Sequence, residues 1–111
     1  MSTPALIEQE DIPAQRNFID GAWAAAISGE TLEVLCPSDG LTFTHIARSS
    51  TRDVNEAVAA ARHALEEGGW GRLAAVERGR LLSKLAARIL DNFDELAALE
   101  ARDTGKPVTQ A

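Results

Sequence analysis

The chain changes its hydrophobic rhythm once, near residue 50. Before that point apolar residues come in short runs cut by turn formers. Asn17-Phe18-Ile19-Asp20-Gly21-Ala22-Trp23 sets an Asp-Gly pair between two apolar-aromatic stubs. Such a pair favours a tight hairpin, because the central residues of the turn need positive φ. Ser28-Gly29-Glu30 predicts a further turn. Leu32-Glu33-Val34-Leu35 reads as a strand, stopped by Pro37 and the Ser38-Asp39-Gly40 loop, and Leu41 to Ala47 is another β-prone run. Residues 17–47 are therefore expected to form two or three short strands joined by tight turns. Residues 1–16 are polar, contain Pro4 and Pro13 and show no period, so they read as a flexible lead-in.

Beyond residue 50 the period becomes helical. Asp53, with Glu56 three residues on, has the form of a capping box, in which each side chain takes an orphan backbone N–H. Val54, Ala57, Val58, Ala61 and Leu65 then fall on one stripe, and Glu66-Glu67-Gly68-Gly69 ends a helix predicted over 53–67. The alanines in the stripe let a neighbouring layer come close, so this helix is expected to pack on something flat. Trp70-Gly71-Arg72 is a connector, and residues 74–103 predict further helices. Leu82, Leu85, Ala86, Ile89 and Phe93 give their stripe, Asp91-Asn92 interrupts it, and Asn92 with Glu95 would cap a shorter helix from Phe93 to Arg102. Leu96, Ala97 and Leu99 supply its apolar side. Gly105 fits the positive-φ position past a helix end, with Lys106 near the negative pole and Pro107 blocking continuation. The pattern runs on to Ala111 as though cut within the next element.

Composition narrows the possible functions. A chain of 111 residues is one domain's worth at most. With 17 acidic against 11 basic residues the net charge is −6, which argues against nucleic acid or an anionic membrane surface as partner. No apolar run approaches the roughly 18 residues of a membrane span. The single cysteine, Cys36, cannot form an internal disulfide, which fits a reducing compartment. The first residues resemble neither a secretory signal nor a transit peptide, so a cytoplasmic location is expected.

Candidate chemistry is sparse. A nucleophilic cysteine needs a base or a helix N-terminus to lower its pKa, and nothing places His45 beside Cys36, which follows a strand and precedes Pro37. Cys36 reads as a half-buried structural thiol. His45 and His63 read as surface or packing residues, since a zinc site would want two more Cys or His. Glu66, Glu67, Asp94, Glu95 and Glu100 read as solvated helix faces. Gly105-Lys106 lacks the upstream glycine of a phosphate loop, has Pro107 in place of Ser or Thr, and ends a helix where a phosphate loop would start one. No Gly-x-Gly-x-x-Gly occurs, and the residues taken alone carry no catalytic machinery.

The order of these segments nevertheless resembles one family. The hairpin Asn17 to Trp23, the loop Cys36-Pro37-Ser38-Asp39-Gly40, the helix Asp53 to Arg62 with the following Trp70, the stretch Arg78 to Leu90, and Glu95 to Glu100 ending in Asp103-Thr104-Gly105-Lys106-Pro107 are similar to the N-terminal segment of NAD(P)-dependent aldehyde dehydrogenases. The similarity spans 17–111. It implies an α/β fold in which this hairpin and strand region, followed by two or three helices, flanks a Rossmann-like parallel sheet that the chain does not contain. It implies a cofactor, NAD or NADP, an aldehyde substrate and a homo-oligomer.

In that family a cysteine thiolate attacks the aldehyde to give a thiohemiacetal, hydride passes to the nicotinamide, and a glutamate activates the water that releases the acid. The groups with those roles lie beyond the matched segment. The resemblance therefore implies no catalytic or cofactor-binding residue here, and only Asp103 matches a position that lines a monovalent-cation site in some members. Cys36 stands where the family commonly has Asn, which loses an amide able to hold the following loop. The implied role is architectural, with apolar stripes facing a missing sheet, so the chain alone is expected to be unstable or to associate. The alternative is a small stand-alone α+β interaction module without catalysis, associating through the same stripes. The reading frame downstream of codon 111 separates the two.

Overall fold

Among the described residues two hairpins and three helices follow one another, and each boundary has a local cause. The computed structural model describes residues 12–111. Strands β1 (Asn17–Ile19) and β2 (Ala22–Ala24) pair antiparallel with Phe18 opposite Trp23. Asp20 and Gly21 sit at φ 53° and 76°, so both central residues of the turn are left-handed, as the Asp-Gly pair requires. The Phe18 and Trp23 rings meet edge to face, with centroids 4.9 Å apart.

Strands β3 (Thr31–Leu35) and β4 (Thr42–Ala47) form a second, separate antiparallel pair. Among the described residues there are thus four strands in two hairpins, where the run lengths suggested two or three. The β3–β4 loop closes through Cys36 N–H to the Leu41 carbonyl (2.9 Å) and Gly40 N–H to the Cys36 carbonyl (2.8 Å). The Asp39 carboxylate accepts from Leu41 N–H at 2.9 Å, so the loop has a side-chain anchor without an amide at position 36. The register slips between Val34, opposite Thr44, and Leu35, opposite Thr42. Phe43 is the extra residue of this bulge, and the bend turns both Phe43 and Thr44 inward, where both are buried.

Residues 1–11 of the expected lead-in lie outside the described residues. Its last residues are tied down. Gln15 runs parallel beside Ile46 and donates its N–H to the His45 carbonyl at 2.7 Å, and the Thr44 hydroxyl donates to the Pro13 carbonyl at 3.0 Å. These bonds use backbone carbonyls and one inward hydroxyl, which leave no hydrophobic period to read.

Helix α1 (Thr51–Glu66) starts two residues ahead of the predicted Asp53. Ser50 is its N-cap and Asp53 its third residue, so the capping box lies one turn upstream of the Asp53–Glu56 pair. Asp53 accepts the Ser50 backbone N–H at 2.8 Å, and the Ser50 hydroxyl oxygen faces Asp53 N–H at 3.5 Å. After a 3-10 turn at Trp70–Arg72 comes α2 (Ala75–Asp91). Its start is held by Ala74 N–H donating to the Glu77 carboxylate at 3.3 Å and by the Arg78 guanidinium donating to the Leu73 carbonyl.

Helix α3 (Phe93–Thr104) follows directly. Asn92 separates the two helices, but its side chain does not cap α3. Its amide donates back to the Arg88 carbonyl at 2.8 Å and so finishes α2. The backbone at Asn92 lies at ψ 23°, short of the extended conformation that would aim a side chain at the α3 N-terminus.

Gly105 ends α3 at φ 76°, with its N–H on the Ala101 carbonyl at 2.9 Å. A Cβ there would also sit 3.3 Å from the Pro37 ring, so the end of α3 and the β3–β4 loop approach through the missing side chain. Lys106 reaches the Glu100 carboxylate at 3.2 Å, and a second 3-10 turn, Val108–Gln110, follows.

The apolar core is small. Among the described residues only Ala26, Cys36, Phe43, Ala97 and Ala98 are buried hydrophobics. The solvent-accessible surface is 8703 Å², against about 6,000 Å² for a folded monomer of this mass. The radius of gyration is 17.5 Å, against about 13 Å for a compact domain of this length. The molecule measures 48 × 37 × 17 Å, a thin open plate with helix stripes on its surface.

Candidate functional site

A concave region lies where α1 packs against β1. An open groove of about 390 Å³ runs between them, walled by Phe18, Ile19, Val54, Ala57, Val58 and Ala61. Asn17, Ser49 and Asp53 stand at its polar end. Those three are satisfied within the chain. The Asn17 amide donates to the Ser49 hydroxyl at 2.8 Å. Asp53, only 5% exposed, accepts Ile27 N–H at 3.0 Å on one oxygen. Its other oxygen takes the Ser50 N–H at 2.8 Å and the Ser50 hydroxyl at 3.0 Å. One carboxylate thus caps α1 and pins the segment after β2 to it. Ser50 and Asp53 signal this cap in the sequence, but the partner Ile27 lies 26 residues away and gives no signal.

These bonds set the acidity of Asp53. The Ser50 N–H lowers its pKa most, and Ile27 N–H, the Ser50 hydroxyl and the Arg52 charge add to this against the opposing effect of burial. A carboxyl with a folded pKa below its unfolded value stabilises the fold above that unfolded value, near pH 4, and loses the contribution as pH falls toward the folded value. The stability gap between the parent protein and Asp53→Asn is therefore expected to be constant at neutral pH and to narrow below about pH 4. Urea midpoints of the whole protein that carries this segment, with and without the substitution, across pH 3–7 check this, and a gap that widened with acid would refute it.

Few of the residues singled out in the sequence meet one another: His63 pairs with Glu67 and Lys106 with Glu100. Cys36 is 4% exposed and free, more deeply buried than the half-buried position expected, because the loop closes over it. His45 faces Glu33 across the β3–β4 register, away from the strand end that leads to Cys36. His63 Nδ1 lies 3.0 Å from Glu67, and Arg62 lies 3.6 Å from Glu66, both as exposed i, i+4 pairs. With the exposed Glu100–Lys106 pair, each contributes under about 1 kcal/mol. Asp103 is exposed on the last turn of α3, and no group of three or more His, Cys, Asp or Glu able to hold a metal occurs among the described residues.

Among the described residues both sheets are antiparallel hairpins, so no parallel strand leads into a glycine turn and helix. The N-terminus of α1, where a phosphate could sit, is filled by the Asp53 carboxylate.

What the molecule does present is apolar. On α1, Val54, Val58 and Leu65 are more than half exposed, and on α2, Leu82, Leu85 and Ile89 are half exposed or more. These are the stripes read from the helical period, and they have no covering layer among the described residues. Such a surface has the character of a face prepared for further polypeptide.

Residues 23–111 match the model of the aldehyde dehydrogenase family. The chain belongs to that family. Among its relatives, the human mitochondrial 10-formyltetrahydrofolate dehydrogenase is 45% identical over 85% of this chain, which covers 10% of that protein. The pig mitochondrial aldehyde dehydrogenase is 43% identical over 96% of this chain and 20% of its own length. The crystal structure of an NAD-dependent aldehyde dehydrogenase from Sinorhizobium meliloti superimposes with a TM-score of 0.86 at 36% identity, over 95% of this chain and 21% of that one. The chain thus spans from a tenth to about a fifth of the length of these relatives.

The α/β fold expected from the resemblance is that of an aldehyde dehydrogenase segment, with short antiparallel strand pairs followed by three helices. Most of the aldehyde dehydrogenase fold lies outside this segment. Among the described residues no helix is long and apolar enough to cross a membrane.

Proposed function

We propose that the protein carrying this segment is an NAD(P)-dependent aldehyde dehydrogenase that oxidises an aldehyde to a carboxylic acid, and that residues 17–111 form the N-terminal part of its cofactor-binding domain. The family match over residues 23–111 carries this reading. The segment's role is architectural. Its two hairpins and three helices flank the cofactor domain, and the stripes of α1 and α2 lie against polypeptide outside the segment. The nucleophile, the base that activates water and the groups that hold the dinucleotide are assigned to the remainder of the protein. Cys36, buried behind its loop, is left as a structural thiol.

Three finer assignments belong to this reading. Asp103 is placed at a monovalent-cation site of the whole enzyme, supported by its position in the Asp103–Pro107 motif and by the negative pole at the end of α3. Homo-oligomerisation is assigned by family resemblance. A cytoplasmic location is supported by the single unpaired cysteine, and fractionation of cells expressing the protein tests it against the mitochondrial names of two relatives.

The enzyme assignment is tested by absorbance at 340 nm with NAD or NADP and a panel of aldehydes. The whole protein that carries this segment is expected to reduce cofactor, and residues 1–111 alone are expected to give no signal. Turnover by the 111-residue chain would contradict the placement of the chemistry, and an inactive whole protein would contradict the activity.

A further inference from the structure

We draw no further inference here: the strongest candidate, the open apolar groove between β1 and α1 walled by Phe18, Val54 and Val58, is an unpartnered face, and nothing in the structure shows what covers it.

Discussion

Replacing Val58 by Asp is expected to destabilise the longer protein by about 4 kcal/mol, although Val58 is 59% exposed in the segment itself. The figure rests on where the residue ends up. Val58 lies in the middle of the α1 stripe and on the wall of the α1–β1 groove. If further polypeptide covers that stripe, the substitution buries a carboxylate with no partner, which costs several kcal/mol. If the stripe faces water, as in a self-standing module, a surface substitution stays within about 0.5 kcal/mol. Urea denaturation of the longer protein and its Val58→Asp variant decides between them. Leu85→Asp on α2, where Leu85 is 55% exposed, extends the same test to the second helix. Variants as stable as the parent at both positions would show that the stripes face water.

Phe43→Ala is expected to cost about 3 kcal/mol, the usual penalty for emptying a buried aromatic site. Phe43 is the largest of the few buried hydrophobic residues, and the β4 bulge turns it inward. The Arg102 guanidinium lies 4.7 Å from the centre of its ring, so the ring also carries a contact between β4 and α3. Phe43→Leu keeps most of the volume and loses the ring face, and it is expected to cost less than half as much. Urea midpoints in the longer protein measure both variants. Equal losses would place the stabilisation in the ring–cation contact, and no loss in either would show that this small core does not hold the hairpin.

Features carried by local backbone chemistry were legible in the sequence. Asp20-Gly21 encodes its turn because both positions must be left-handed, and Gly105 encodes the end of α3 for the same reason. The stripes of α1 and α2 were legible as periods, and the resemblance carried by five short motifs led to the family that the match over residues 23–111 established.

Features that depend on which of two chemically suitable residues wins were less legible. Ser50 and Asp53 can each cap a helix, and Asp53 takes the inner position because its carboxylate also serves Ile27 N–H. Asn92 can cap forward or backward, and its backbone conformation sends the amide back to Arg88. The Phe43 bulge and the seat of Gln15 beside β4 rest on register between distant segments, which periodicity does not encode. The candidate site divides in the same way. The α1 wall of the groove was legible as a helical period, and the placing of Phe18 and Ile19 opposite it and the Asp53–Ile27 tie at its polar end came only from the fold.

We propose that this segment is stable only when covered by the rest of an aldehyde dehydrogenase. Thermal denaturation of the purified 111-residue chain, monitored by far-ultraviolet circular dichroism at several concentrations, tests it most directly. The bare stripes and small core lead us to expect helical signal that fades without a sharp transition, or a transition whose midpoint rises with concentration as chains associate. A steep, cooperative melt with a midpoint independent of concentration would show a self-sufficient domain and contradict the claim.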